Sequence, residues 1–196
     1  CYTEKPDIGT FMREWLALYD SKSGERGIFN RQSAQAQAAK YERRDPNIQY
    51  GTNPCSEIIL RPKQFCNLSE VVVRASDTTE TLKNKIELAT ILGTIQSCFT
   101  DLKGLSKQWT RNTEEERLLG VSLTGIMDNM MMSNKTDDDL AVVLDKLRLH
   151  AVAVNKKWAK KLDIEASTAI TCVKPSGTVS QLVDASSGIH PRHNTY

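Results

Sequence analysis

No stretch of this sequence approaches the roughly 20 consecutive apolar residues that a membrane-spanning helix needs. Its start, Cys1-Tyr2-Thr3-Glu4-Lys5, has neither a Met nor the apolar core of a secretory signal. No membrane partner is expected, and a cytoplasmic location is the default. Charge of one sign is lacking as well: 26 Lys and Arg face 24 Asp and Glu, a formal net charge of +2. No strong field exists to draw the chain onto nucleic acid or an anionic surface, so an anionic ligand must be held by local contacts. Five cysteines, an odd number spread over 196 residues, do not form the dense framework of a small secreted domain, and reduced thiols are expected. The sequons Asn67-Leu68-Ser69 and Asn134-Lys135-Thr136 carry no weight without a secretory signal. Internal repeats and low-complexity linkers are absent. The missing Met, and an end at Asn194-Thr195-Tyr196 without a helix cap or polar tail, lead to the expectation that both ends were cut from a longer chain.

What is present is an ordinary globular composition with alternating helix and strand signals. Apolar residues from Ile8 to Leu18 recur at helical spacing before the breaker Ser21-Lys22-Ser23-Gly24. Gln32 to Tyr41, rich in Ala and Gln, predicts a second helix that stops before the polar stretch Arg43-Arg44-Asp45-Pro46-Asn47. Ile58-Ile59-Leu60 and Val71-Val72-Val73 read as short buried strands. Thr78 or Thr79 caps a helix running to about Phe99, with Leu82, Ile86, Ala89, Leu92, Ile95 and Phe99 as its apolar face. A further helix is expected to begin near Thr113, where Glu114, Glu115 and Glu116 suit the positive end of a helix dipole. Asp137 to Leu162 is the strongest helical signal, and Ile170 to Val173 predicts a strand entering the loop Lys174-Pro175-Ser176-Gly177-Thr178. This alternation argues for an α/β architecture.

The segment Thr52-Asn53-Pro54-Cys55-Ser56-Glu57-Ile58, followed by Phe65-Cys66-Asn67-Leu68-Ser69-Glu70, is the richest in chemistry. A cysteine two residues from a carboxylate, held between a proline and an apolar run, can set a thiol and an acid or base beside one substrate. The same Cys55 also reads as a small buried hydrophobe. Cys55 and Cys66 lack the short Cys-x-x-Cys spacing of a zinc site, and no His lies nearby. His190 and His193 read most simply as solvated. Cys98 and Cys172 read as buried packing residues. Met130-Met131-Met132 reads as core filler, and the lysines around Trp158 read as a solvated helix face. The loop Pro175-Ser176-Gly177-Thr178 stands where a strand ends and a helix begins, a place suited to phosphate oxygens. It lacks the Gly-Lys-Ser/Thr ending of an ATPase loop.

Taken whole, Asn53 to Arg74 closely resembles the active-site segment of monomeric, adenosylcobalamin-dependent (class II) ribonucleoside-triphosphate reductases. Ser23-Gly24-Glu25-Arg26-Gly27-Ile28-Phe29-Asn30-Arg31, Leu119 to Gly125, Lys174 to Thr178 and Ser187-Gly188-Ile189-His190-Pro191 extend the resemblance along the chain in order. It implies that residues 1–196 are a piece of the catalytic barrel domain: an α/β fold, part of a ten-stranded α/β barrel with an active-site finger loop. It also implies radical-based reduction of ribonucleotides, as triphosphates, to 2′-deoxyribonucleotides for DNA precursor synthesis, within a longer, monomeric and allosteric enzyme. The piece alone is expected to be inactive.

Residue by residue, Cys55 matches the cysteine that becomes a thiyl radical and takes the ribose 3′ hydrogen. Glu57 matches the carboxylate that takes the 3′-hydroxyl proton, and Asn53 the amide that hydrogen-bonds the ribose hydroxyls. Cys66 matches one of the two cysteines that end as a disulfide; its family partner lies far upstream, and Cys1 is too close in sequence to be that residue. Ser176, Gly177 and Thr178 match the loop that binds substrate phosphates. The implied cofactor is adenosylcobalamin, and the implied reductant is a dithiol such as thioredoxin. Two alternatives stay open: the large subunit of a class I reductase, which takes its radical from a separate metal-containing subunit, and a non-catalytic module that binds nucleotide phosphate. Pro54 before Cys55 and the short interval to Cys66 favour the first reading over the class I alternative.

Overall fold

The computed structural model describes residues 6–24, 27–133 and 137–192. Cys1, Glu25, Arg26, the sequon Asn134-Lys135-Thr136 and His193 to Tyr196 lie outside the described residues. The chain divides into two compact units, residues 1–30 and 31–196. In the first, α1 (Ile8–Asp20) begins where the Asp7 carboxylate accepts the Thr10 amide at 3.0 Å, satisfying one of the open donors of the first turn. Phe11 and Trp15 stack along it, and none of its residues is buried.

In the second unit, α2 (Arg31–Ala39) sets Ala34 and Ala38 against the fully buried Tyr50. A short antiparallel hairpin follows, β1 (Gly51–Thr52) with β2 (Ile59–Leu60), Thr52 standing opposite Ile59. The chain then enters β3 (Asn67–Val72) and crosses through α3 (Thr79–Gln96) and α4 (Lys107–Glu116) to β4 (Leu119–Thr124), which lies parallel to β3. Register runs from Asn67 opposite Leu119 to Val72 opposite Thr124. A 3-10 turn at Ile126–Asp128, α5 (Met130–Ser133) and α6 (Asp137–Leu162) make the next crossover. It ends at a third parallel segment, bridged to β4 at Val121 and Thr171, and α7 (Thr178–Leu182) follows. The main core lies between the β3–β4 pair and helices α3 and α6, with Val71, Leu82, Ile86, Leu119, Leu147 and Ala151 buried together.

The structure moves several of the expected elements. The helix expected near Thr113 ends there: α4 starts at Lys107 after Ser106, and Arg117 in the left-handed region (φ 42°) stops it. Its glutamates therefore sit at the negative end of the dipole, where Glu116 is held by a buried partner, Arg44, instead. α3 ends at Gln96, and its buried face is rotated from the expected one. Leu92, Ile95 and Phe99 are exposed, while Thr90, Gly93 and Thr94 face the core. Small residues win these positions because Gly93 packs directly on the Leu119 side chain. The two threonine hydroxyls satisfy themselves by donating to the Ile86 and Thr90 carbonyls at 2.7 Å. Cys98, expected to be buried, is exposed in the turn after α3. The run Ile170 to Val173 contributes a single bridge in place of a strand, whereas Leu119 to Thr124 is a full strand.

Two glycines around β4 carry different loads. A Cβ on Gly125 (φ +79°) would stand 2.6 Å from the Val73 carbonyl oxygen, a backbone atom that cannot step aside. A Cβ on Gly120 would meet the end of the Leu68 side chain, which can move. Gly125→Ala is expected to destabilise the protein by more than about 2 kcal/mol, and Gly120→Ala by about 1 kcal/mol. Denaturant unfolding of the two variants checks this order.

Candidate functional site

The hairpin turn is built by its own sequence. Pro54 takes the second position of a four-residue turn, to which its fixed φ is suited, and the Ser56 amide closes it by donating to the Asn53 carbonyl at 3.0 Å. Ser56 adopts φ 64°, an uncommon conformation for a residue other than glycine, held here by the hairpin on either side. The Asn53 side-chain oxygen accepts the Ile58 amide at 3.1 Å, so one end of this amide braces the hairpin. Its Nδ2 makes no hydrogen bond among the described residues. Cys55 is exposed at the tip. The alternative reading of Cys55 as a small buried hydrophobe is not met: within the described residues nothing covers it.

Glu57, the next residue but one, is half-buried, and its Oε2 is enclosed without a hydrogen-bond partner among the described residues. The carboxylate lies close enough to two thiols to act on both. Burial, reinforced by the Glu57 charge, pushes the Cys66 thiol up to about 11. The same two causes, in the same order, push Cys172 up to about 12. Cys66 stands just before β3, and Cys172 on the segment that flanks β4 from the other side. Register places Cys66 level with Leu118 and Cys172 level with Ser122. That separates them by about 13 Å along the strand direction, beyond the roughly 7 Å Cα separation a disulfide can bridge.

The face these residues share is opened by Gly120. Its missing side chain leaves room for the Cys172 sulfur, Ile58 of the hairpin and Leu68 of β3, all of which would crowd a Cβ. A cleft of about 730 Å³, within the size range of small-molecule sites, is lined by Glu57, Ile58, Ser122 and Cys172 and, from the helix side of β4, by Leu119 and Val121 with Ile86 and Leu147. Glu70, two residues beyond Leu68 on the same face, lies 3.8 Å from the Lys174 ammonium.

The expected phosphate loop follows directly. The Lys174 amide donates to the Ser122 hydroxyl at 3.0 Å, which fixes where the loop leaves the sheet. Ser176 is buried with its hydroxyl unpartnered among the described residues, Gly177 takes φ 58°, and Thr178 opens α7. The later motif is pinned to the end of β4: the Gly188 amide donates to the Thr124 hydroxyl at 2.8 Å, and that hydroxyl donates to the Ser186 carbonyl at 2.9 Å. Both loops thus gather at the carboxyl ends of parallel strands, where open α/β sheets bind their ligands.

The structure brings Asn53, Cys55 and Glu57 together on one hairpin and Cys66 within electrostatic reach of Glu57. It sets Ser176 to Thr178 at the end of the segment that carries Cys172. Three participants were not legible as such in the sequence. Cys172 is half-buried but lines the cleft beside Glu57. Arg44 and Glu116 form a buried pair whose partners lie 72 residues apart, and no local pattern announces such a pair.

Comparison with known proteins places this geometry. No family model matches the chain. It is 29% identical to the adenosylcobalamin-dependent ribonucleoside-triphosphate reductase of Lacticaseibacillus paracasei over 92% of this chain and 27% of that protein. The enzyme of the same name from Lactobacillus gasseri is 30% identical over 74% of this chain and 22% of its own length. That from Euglena gracilis is 26% identical over 89% and 24%. The crystal structure of a B12-dependent (class II) ribonucleotide reductase superposes with a TM-score of 0.60 and 25% identity, covering 71% of this chain and 22% of the other. The chain thus spans about a quarter of the length of these relatives, and the fold is an α/β fold of the ribonucleotide reductase type. The resemblance read from the sequence is borne out.

The raised thiols give a direct test. Alkylation follows the thiolate fraction, so at pH 8 iodoacetamide is expected to label Cys66 and Cys172 about a hundredfold or more slowly than an ordinary thiol. The rates should climb as pH passes about 11 and about 12 respectively. Since both thiols bind their protons more tightly when folded, stability should fall as pH rises above the ordinary value of 9. Labelling of either cysteine at the rate of a free thiol at pH 8 contradicts the assigned environment.

Proposed function

We propose, from the kinship of this chain with a part of the class II, adenosylcobalamin-dependent ribonucleotide reductases, that it forms the catalytic hairpin and phosphate loop of a reductase. That enzyme converts ribonucleoside triphosphates to 2′-deoxyribonucleotides. The observation that carries the reading is the joining of Cys55, Glu57 and Cys66 on one hairpin and its adjoining strand, with the Glu57 carboxylate enclosed and unpartnered between thiols. Residues 1–196 belong on this reading to the catalytic domain. β3, β4 and the Thr171 segment are successive parallel strands of its ten-stranded barrel, and the hairpin is its finger loop.

The roles are those the resemblance implies, and the geometry supports them. Cys55, as a thiyl radical, removes the 3′ hydrogen of the ribose and returns it to the same carbon once the 2′ position is reduced, which restores the radical on sulfur. Its exposure at the hairpin tip fits a thiol that must be reached by a bulky group from outside the hairpin. Adenosylcobalamin, the cofactor in the relatives' name, supplies the initiating radical when bound. Glu57 takes the 3′-hydroxyl proton, and the free amide end of Asn53 donates to the ribose hydroxyls. Cys66, kept protonated, gives its proton to the departing 2′ hydroxyl, which leaves as water. Cys66 and a second cysteine on another strand then become a disulfide as the ribose is reduced, so one water and one disulfide form per deoxyribonucleotide. A thioredoxin-like dithiol restores the pair. Cys172 is not that second cysteine, being out of bridging reach. Ser176, Gly177 and Thr178 receive the substrate phosphates. The reducing cytoplasm suits this thiol chemistry, and the chain acts in a monomer. Neither the class I alternative nor the binding-module alternative is favoured by the comparisons.

The test uses the intact polypeptide that carries this chain, with a ribonucleoside triphosphate, dithiothreitol, and adenosylcobalamin present or omitted. Wild type should form deoxynucleotide only with the cofactor. Cys55→Ser should abolish turnover, and Glu57→Gln should lower kcat about a hundredfold or more. Turnover that persists without the cofactor, or without the Cys55 thiol, overturns the reading.

A further inference from the structure

One side chain that no motif contains grips the hairpin at β2 and at the residue just before β1. The Arg44 guanidinium donates from Nε and Nη2 to the two oxygens of Glu116 at 2.9 and 2.7 Å. Its remaining nitrogen, Nη1, donates to the Ile59 carbonyl of β2 at 2.9 Å. Its plane also lies over the Tyr50 ring, 4.7 Å from the centroid, and Tyr50 immediately precedes β1. The ion pair is out of water, with 6% of the Arg44 side chain and 2% of the Glu116 side chain exposed. Glu116 is tied in turn to the chain beyond β2: Gln64 donates to it at 2.6 Å and to the Asn112 carbonyl at 3.0 Å, and the Gln64 side-chain oxygen accepts the Arg61 amide at 2.9 Å. Tyr50 is fixed from its other side, its hydroxyl donating to the Asp45 carbonyl at 2.8 Å and its carbonyl accepting from Arg31 at 3.0 Å.

We propose that Arg44, anchored by Glu116, is the positioning residue of the Cys55 hairpin: it holds β2 and the residue just before β1 so that the tip carrying Cys55 and Glu57 keeps one attitude toward the substrate. The proposal rests on the reaction assigned above. A planar fork is required because three donors on one plane reach a carboxylate and a carbonyl at once, which a lysine ammonium cannot do in the same geometry. Arg44 borders the cleft, but its three nitrogens are all spent on Glu116 and Ile59, so on this reading the effect passes through the hairpin. A hydrogen-atom transfer is sensitive to displacements of this kind, since a shift of about 1 Å can cost a hundredfold in rate.

Arg44→Lys keeps the charge opposite Glu116 and removes the fork. In the intact protein it is expected to lower kcat about 10- to 100-fold with KM changed less than about threefold. Amide hydrogen exchange at Ser56 and Ile58, whose N–H groups close the turn, should quicken about tenfold while α6 exchanges as before. Glu116→Gln, which keeps the shape and loses the charge, should move both readouts in the same direction by less, and serves where Arg44→Lys does not fold. Asn155→Ala is the control for stability alone. It removes a buried amide that joins Thr94 and Ser167 and bonds neither Arg44, Glu116 nor the hairpin directly, and should lower the melting temperature with kcat intact. Unchanged exchange at Ser56 and Ile58 in both clamp variants overturns the proposal whatever the activity. So does a fall in kcat that Asn155→Ala reproduces at equal loss of stability. A wild type without reductase activity, but with the exchange response present, overturns the assigned reaction and leaves the clamp standing.

Discussion

The parallel pairing of β3 with β4 is the constraint from which the other features follow. Six in-register pairs, from Asn67 with Leu119 to Val72 with Thr124, decide which side chains face the helices and which face the hairpin. Ser69, Val71, Leu119 and Val121 fall on the helix side. There the Ser69 hydroxyl donates to the Ala89 carbonyl of α3 at 3.3 Å, and Leu119 packs on Gly93. Leu68, Glu70, Gly120 and Ser122 fall on the other side, where the hairpin and the Thr171 segment arrive. A slip of one residue would send Glu70 into the apolar core and Val71 to the hairpin side, at a cost no local contact offsets. Gly120 is the corollary of that register: a side chain at this position would occupy the space that Ile58 and Cys172 need.

The hairpin has little structure of its own, two residues in each strand, and an isolated pair of that size is not stable in water. Its order is borrowed. One end leans on Gly120 through Ile58, and the other is tied through Arg44 to Glu116 at the end of α4. A buried ion pair is a weak source of stability, because desolvating two charges consumes most of their attraction. What it supplies is geometry, since removing Glu116 leaves Arg44 buried without its carboxylate, and removing Arg44 leaves Glu116 to Gln64 and the more distant Arg61. An apolar contact would hold the hairpin close but allow it to slide; the fork on Glu116 and the bond to the Ile59 carbonyl allow one arrangement.

Legibility in the sequence tracked how local the causes were. α6 runs from Asp137 to Leu162 as its periodicity says, because 26 residues of one amphipathic pattern outweigh any single contact. Thr78 caps α3 as expected, by a reciprocal bond with Thr81. β4 gave no alternating signal because five of its six residues are buried, and its Gly120 reads as a breaker rather than as a space left for neighbours. The start of α4 was misplaced because three glutamates in a row were assigned to the dipole, when one of them belonged to a tertiary ion pair. The site showed the same division. Asn53 to Cys66 is contiguous and chemically distinctive, so those positions could be named from the sequence. Arg44 looked like part of a polar loop and Cys172 like packing, since what recruits each of them comes from a distant segment.

Enclosed polar atoms without partners among the described residues define what a ligand would have to supply. A buried polar atom without a partner costs about 1–3 kcal/mol. Such atoms include Glu57 Oε2 beside the thiols, Glu70 Oε1 on β3 and Ser176 Oγ in the loop beyond Cys172. The two carboxylate oxygens call for hydrogen-bond donors, and the Ser176 hydroxyl proton calls for an acceptor. The Cys66 and Cys172 thiols are held in the neutral form by burial and by the Glu57 charge. Neutral thiols neither repel an incoming anion nor compete for the donors that would hold it. The electrostatics that make Cys66 a poor nucleophile at neutral pH therefore also keep its proton in place.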